Sequence, residues 1–275
     1  MYNAELDEWK QMPDFPGMKR GYSYGVAMEN SFGSYAYLGF GKGARYLNDF
    51  WRYDMRNGKW EELASCPGLG RSHPAMVGLS SVNKVYVGLG NNRNTDNSVN
   101  NMKDFWEYDV ETNSWKKLPD LPGIARHHPF SFGLDSTVYA GFGHSDPGIE
   151  RDWYALDSST STWKQLAHFT SYNHDNTENT TEGRNAGTEF TIPDCGLGAV
   201  LSGDGNNHLS METGEFHVYN ATNDRWTARQ PHPGPSRWAP GSFVIGNTVY
   251  LTSGQNRIEN KVLNDLWALE VQCEF

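Results

Sequence analysis

The 275-residue sequence is short of three things: cysteine, long apolar runs and positive charge. Cys66, Cys195 and Cys273 are its only cysteines. They are too few and too scattered for a disulfide framework or a zinc site, and their odd number leaves at least one free thiol, so they read as isolated buried thiols. No stretch approaches the ~18 consecutive apolar residues of a spanning helix, and no membrane partner is expected. Residues 1–20 lack a basic segment followed by an apolar one, so the chain as given holds no signal peptide. Two N-x-[ST] sequons, at Asn179 and Asn220, keep export open beside a cytoplasmic location. With 23 Lys and Arg against 33 Asp and Glu, the formal net charge is −10. That balance disfavours phosphate-backbone binding and excludes nucleic acid from the expected partners. Amphipathic helical periodicity is missing as well.

What is present is 37% hydrophobic and 13% aromatic residues, enough for a packed core, with only 20% charged residues. Glycine (29) and tryptophan (10) are in excess, and a repeat organises both. A Tyr or Leu is followed seven residues later by Trp at Tyr2/Trp9, Tyr53/Trp60, Tyr108/Trp115, Leu156/Trp163 and Tyr219/Trp226. Short aromatic runs recur at 50–54, 105–109, 153–157, 216–220 and 266–270. Apolar runs ending in glycine precede them at 37–41, 85–90, 138–143, 199–205 and 249–254. Each unit opens with an arginine after a Pro/Gly-rich link: Arg20, Arg71, Arg126, Arg184 and Arg237, spaced 51 to 58 residues apart. β-Branched and aromatic runs punctuated by Gly, Asn and Asp read as strands, four per unit, which is a propeller blade.

These elements, Pro-x-x-x-Arg, apolar-Tyr-x-Gly-x-Gly and Asn-Asp-Phe-Trp-x-Tyr-Asp followed by Trp, resemble kelch repeats. The wording of units 1 to 3 is similar to bacterial-type, galactose-oxidase-like kelch propellers; unit 4 departs at Gly203-Asp204-Gly205, lacks the Phe-Trp pair and carries a polar insertion near 169–183. A disordered or lid-like loop is expected there. The expected fold is all-β, one kelch-type propeller of five four-stranded blades, approximately 18–63, 70–118, 125–166, 184–229 and 236–275 plus 1–12. In it the N-terminal strand (EWKQM, 8–12) completes the C-terminal blade. A six-bladed ring with a missing blade is the alternative.

The resemblance implies a ligand rim at the channel mouth. One rim column is Gly21, Ser72, His127, Asn185 and Trp238; the next is Tyr22, His73, His128, Ala186 and Ala239. After the glycine pairs come Lys42, Asn91, His144, Asn206 and Gln255. The arginines repeat, as a shared packing demand would, and read first as ties to backbone carbonyls or a carboxylate of the adjacent blade. Their other reading is a cationic ring for an anionic ligand. The neighbouring columns do not repeat, and a single ligand requires such asymmetry. His73, His127, His128 and His144 fall on adjacent units and point to a local histidine cluster able to move protons.

Two functions follow for this rim. The first is recognition of a glycan, acidic sugar or acidic peptide, with Trp238 as stacking platform. The alternative is lyase, epimerase or mutarotase chemistry on an acidic sugar, since some kelch-like propellers are known for sialic-acid mutarotation. There His128 or His73 moves the proton, Tyr22 assists, and Arg71 or Arg126 neutralises the carboxylate. A protein–protein scaffold is a third reading. No cofactor and no metal site is expected, and the chain is read as a monomer. The Gly-x-Gly turns precede no helix, so they are not a dinucleotide loop. The Asp/Asn-rich stretches at 91–101 and 204–208 lack ordered calcium-ligand spacing. No cysteine stands on the rim to form the Tyr–Cys link of galactose-oxidase copper chemistry.

Overall fold

In a computed structural model, residues 1–94, 96–211 and 213–273 are described, and they form no α-helix. Blades 1 to 3 are four-stranded antiparallel sheets. Their strands are Tyr24–Asn30, Gly33–Gly39, Phe50–Asp54 and Lys59–Leu63; then Ala75–Leu79, Lys84–Gly88, Phe105–Asp109 and Ser114–Leu118; then Phe130–Leu134, Thr137–Gly141, Trp153–Asp157 and Thr162–Gln165. Blade 4 comprises Thr188–Ile192, Leu197–Leu201, Gly214–Asn220 and Arg225–His232, and blade 5 has three strands, Gly241–Ile245, Thr248–Thr252 and Leu266–Glu270. The chain is thus an all-β propeller arrangement of five blades.

The core lies between blades. Strand residues alternate faces, so each sheet offers one apolar face to each neighbour. Phe50 packs with Tyr108 and Trp115 of blade 2, and Phe105 with Trp163 of blade 3. Each such ring removed from water contributes about 1.5–3 kcal/mol. Four buried clusters join blades 1–2, 2–3, 3–4 and 4–5. No comparable packing joins the inner strands of blades 5 and 1.

The five arginines clamp their own blades. Arg71 forks onto Asp104 (2.7 and 2.7 Å) and donates to the Leu89 carbonyl (3.0 Å). Arg20 holds Asp49, Arg126 holds Asp152, Arg184 holds Glu215 and Arg237 holds Asp265. The residue two places after each acid adds a donor: Trp51, Trp106 and Trp267 through the indole, Tyr154 through its hydroxyl, His217 through a ring nitrogen. Burial alone would raise Asp104 and Asp152, but the guanidinium holds both below the usual carboxylate range. The arginine side chains are 0–4% exposed, so they supply no cationic ring at the mouth. Adjacent blades are stitched instead through backbone. The second glycine of a pair donates to the next arginine's carbonyl, Gly41 to Arg71, Gly90 to Arg126, Gly143 to Arg184 and Gly203 to Arg237 (2.8–3.1 Å). Those glycines have φ of +86 to +97°, and a Cβ on Gly90 would lie 2.7 Å from the Ser72 carbonyl oxygen.

Three expectations change. The N-terminal segment does not pair as a fourth strand of blade 5: Tyr2–Asn3 and Glu8–Trp9 form their own hairpin. The insertion near 169–183 is an ordered hairpin. Its Ser171–Tyr172 strand runs parallel to Trp226 and Thr227 and pairs with Glu178–Thr180, widening blade 4 to six strands. Finally, Cys195 and Cys273 form a disulfide across 78 residues, tying the tail after blade 5 to a turn of blade 4; Cys66 alone is a buried free thiol. Loop closure on that scale contributes roughly 4 kcal/mol.

Removing one member of a buried ion pair leaves the other desolvated. Arg126→Met should therefore lower unfolding free energy by about 3–5 kcal/mol in urea titrations. Arg52→Met, which breaks the surface pair with Glu61, should cost under about 1 kcal/mol. Equal effects would refute the clamp.

Candidate site at the channel mouth

After each clamped arginine the chain makes one bridge across the rim, Gly21 to Lys42, Ser72 to Asn91, His127 to His144, Asn185 to Asp204 and Trp238 to Gln255. The next residue, Tyr22, His73, His128, Ala186 or Ala239, has φ of +51 to +57°. Five identical turns at one register are a requirement of the blade. Non-glycine side chains bear it at about 1 kcal/mol each. Three of the five are aromatic and gather on one side. Tyr22 meets His73 at 4.3 Å between ring centroids, His73 meets His128 at 3.7 Å, and His128 meets Trp238 at 5.8 Å. The cluster continues through His127 to His144 (4.9 Å) and His208 (4.3 Å).

Opposite this wall, Ala186, Gly187, Ala239, Gly241 and Ser242 are small, leaving a cavity of about 380 Å³ that also reaches Tyr24, Thr188 and Glu189. Its electrostatics are set chiefly by partial burial. Burial lowers His73 to about 4 and His127 to about 3; neighbouring imidazoles add to the shift of His127. His128 and His144 are lowered by the same two causes. All four are neutral at pH 7. Neither ring nitrogen of His73 has a hydrogen bond of good geometry, whereas His127 Nδ1 pairs with Asn101 Oδ1 (2.8 Å) and His144 Nδ1 with His208 Nε2 (3.0 Å). Glu189 is pushed up to about 8 by burial, the Ser131 backbone amide only partly opposing. Tyr24 is raised by burial and by Glu189. The channel thus presents a protonated carboxyl beneath uncharged imidazoles.

The remaining rim residues divide. Ser72 donates to Asn91 Oδ1 (2.7 Å), Asn185 is fully buried, and Gln255 donates to Asn260 (2.9 Å). Lys42 is exposed beside the Tyr46 ring. Asn206 does not hold the column position: Gly203 is the positive-φ glycine of blade 4, so Asp204 takes the place and Asn206 lies beyond, on the surface. Asp204 is buried and pairs with Arg257, yet burial raises its carboxyl. Glu189, His208, Asp204 and Arg257 were not legible as site residues. For Glu189 a signal existed, since the inner-strand positions in register with it are Gly25, Met76, Ser131 and Ser242, and only blade 4 places a charge there. Among the described residues no cluster of His, Cys, Asp and Glu has metal-holding geometry.

With this geometry established, the kelch motif description matches residues 39–67, spanning the third and fourth strands of blade 1. The chain is a five-bladed β-propeller that carries a kelch motif in blade 1. Part of this propeller is similar to N-acetylneuraminate epimerases. It is 30% identical over 111 residues to that of Yersinia enterocolitica, covering 40% of the chain and 26% of the relative. It is 32% identical over 106 residues to that of Pasteurella multocida, covering 37% and 26%. The matched stretch thus spans about a quarter of those relatives' length. The solved structure of YjhT superposes with a TM-score of 0.73 at 16% identity, covering 96% of this chain and 85% of that one, which is a likeness of fold.

Depressed histidines make stability acid-sensitive. Stability is full above the unfolded-state value near 6.5 and is lost as pH falls through the folded values, about 4 for His73 and 3 for His127. Thermal melts should therefore decline from pH 6.5 to 4, and His73→Asn should flatten the decline. An unchanged slope would contradict the burial of neutral imidazoles.

Proposed function

We propose that the channel mouth binds a carboxylated monosaccharide of the sialate class. The observation that carries this is the asymmetry of the cavity, an aromatic wall of Tyr22, His73 and His128 facing small residues above Glu189. Its size suits one sugar ring. Aromatic faces stack on the apolar faces of sugars, with Trp238 flanking His128, while imidazole nitrogens and Glu189 give directional hydrogen bonds to hydroxyls. The clamped arginines are committed elsewhere and Arg257 is paired with Asp204, so the exposed rim cation Lys42 meets the sugar carboxylate. The resemblance to N-acetylneuraminate epimerases supports the ligand class.

A second reading, anomeric interconversion, is favoured by the proton that Glu189 retains at neutral pH. Glu189 gives that proton to the ring oxygen as the ring C–O bond breaks. A neutral imidazole of His73 or His128 takes the proton of the anomeric hydroxyl, leaving the open-chain ketone. Tyr22 supports the hydroxyl by hydrogen bonding. Reclosure on the other carbonyl face reverses both transfers, so no oxidant is consumed.

NMR titration with N-acetylneuraminate separates the readings. The Trp238 indole resonance should shift, and Trp238→Ala should weaken binding ~2- to 12-fold, the loss of one stacking contact, at unchanged melting temperature. Glu189→Gln should keep binding but abolish any acceleration of α/β exchange. Absence of ligand-induced shifts would refute the site; binding without faster exchange would leave recognition alone.

A further inference from the structure

The N-terminal hairpin repeats the outer half of a blade. Tyr2 pairs with Trp9 and Asn3 with Glu8, as Tyr53 pairs with Trp60 and Asp54 with Lys59. The Tyr2 hydroxyl donates to Asp7 at 2.8 Å, five residues on, as Tyr108 donates to Asn113 and Tyr219 to Asp224. Its place in the ring is fixed from both sides. Toward blade 5, Phe243 lies 6.0 Å from Tyr2 and 6.3 Å from Trp9, and Tyr250 lies 5.3 Å from Tyr2. The same register between blades 3 and 4 gives 6.2 Å for Phe132–Tyr219, 6.3 Å for Phe132–Trp226 and 5.4 Å for Tyr139–Tyr219. Toward blade 1, the Trp60 indole donates to the Pro13 carbonyl, as Trp115 does to Ala64 and Trp163 to Pro119. The hairpin therefore stands where the third and fourth strands of a blade between blades 5 and 1 would stand.

Inward of it the ring is open. The inner edge of Tyr2–Asn3 pairs with no strand, although that edge pairs with a second strand in every other blade. One inner-strand column is 3% exposed at Met28, 3% at Leu79, 9% at Leu134 and 0% at Ile192, but 46% at Ile245. On the opposite wall Gly25 and Ala27 are exposed, while Met76, in register with Gly25, is buried. Among the described residues, Gly254 has no backbone bond to Arg20 like those by which the four preceding glycines reach the next arginine. Gly25, Ala27, Phe243, Val244 and Gly246 join inner-strand residues of blades 2 to 4 in lining a channel cavity of about 440 Å³.

We propose that this wedge is a docking site for a two-stranded antiparallel β-hairpin of the repeat's own inner-half type, alternately apolar and closing on Gly-x-Gly. Its outer strand extends the Tyr2–Asn3 edge, its apolar face covers Phe243 and Ile245, and the small residues of blade 1 accommodate its larger side chains. The occupant is defined by the geometry of four existing blade junctions, and the inference is independent of the sugar site.

A test appends residues 130–143, the inner hairpin of blade 3, to the full chain through a flexible Gly/Ser linker, so that docking is intramolecular. Hydrogen exchange of the Tyr2–Asn3 and Gly25–Ala27 amides should slow roughly ten-fold or more, and the melting temperature should rise. A scrambled appendage should do neither, and Ile245→Asp should remove both effects. Unchanged exchange at those amides would overturn the proposal. So would light scattering that shows the unfused chain to be a dimer, dissociated by Ile245→Asp, because a second copy would then be the occupant.

Discussion

One buried guanidinium per blade, paired with a carboxylate of the same blade, is the constraint on which the other features rest. Desolvating an arginine and an acid is expensive, and the cost is offset only when every donor and lone pair is satisfied. In blade 2 the fork takes the carboxylate of Asp104, the remaining N–H groups take backbone carbonyls, and the Trp106 indole two residues after the acid completes the set. Such a pair is directional, so it fixes where the link between blades turns back into the inner strand. Glu215 in blade 4, held down to about 2 where His217 and Arg184 outweigh its burial, keeps the pairing with a single guanidinium N–H and an imidazole in place of the fork and the indole.

The chemistry of the mouth follows from that fixed turn. Because each arginine is anchored, the residue two places later leaves it with a left-handed backbone and enters the channel in every blade. The fold thus dictates the position and leaves the side chain free to vary. Blades 1 to 3 place Tyr22, His73 and His128 there, and blades 4 and 5 place alanines, which makes one wall aromatic and the other open. Burial lowers the imidazoles and raises Glu189, so a donor and acceptors face one space without formal charge.

Much of this was legible in the primary structure because propeller blades repeat. The five units, the tryptophan columns and the crowding of His73, His127, His128 and His144 all follow from aligning periods. Other features were hidden for identifiable reasons. Each arginine's partner lies 26 to 33 residues downstream in its own blade, a pairing that only the strand order reveals. The Gly203-Asp204-Gly205 sequence imitates the glycine pair two residues late, which displaced the rim position from Asp204 to Asn206. Cys195 and Cys273 meet because blades 4 and 5 are neighbours, a fact that spacing alone does not encode. The Tyr2/Trp9 spacing marks a repeat element, but that its hairpin stands apart from blade 5 instead of completing it is visible only in the strand pairing and in the contacts of Phe243 and Tyr250.

The central claim is that the channel stores a proton on Glu189 at neutral pH. Difference infrared spectroscopy of the wild type against Glu189→Gln addresses it directly. The account predicts a protonated-carboxyl C=O band at pH 7 that is absent from the variant and disappears from the wild type as pH rises through about 8. A carboxylate signal from Glu189 at pH 7, with no such band, would contradict it.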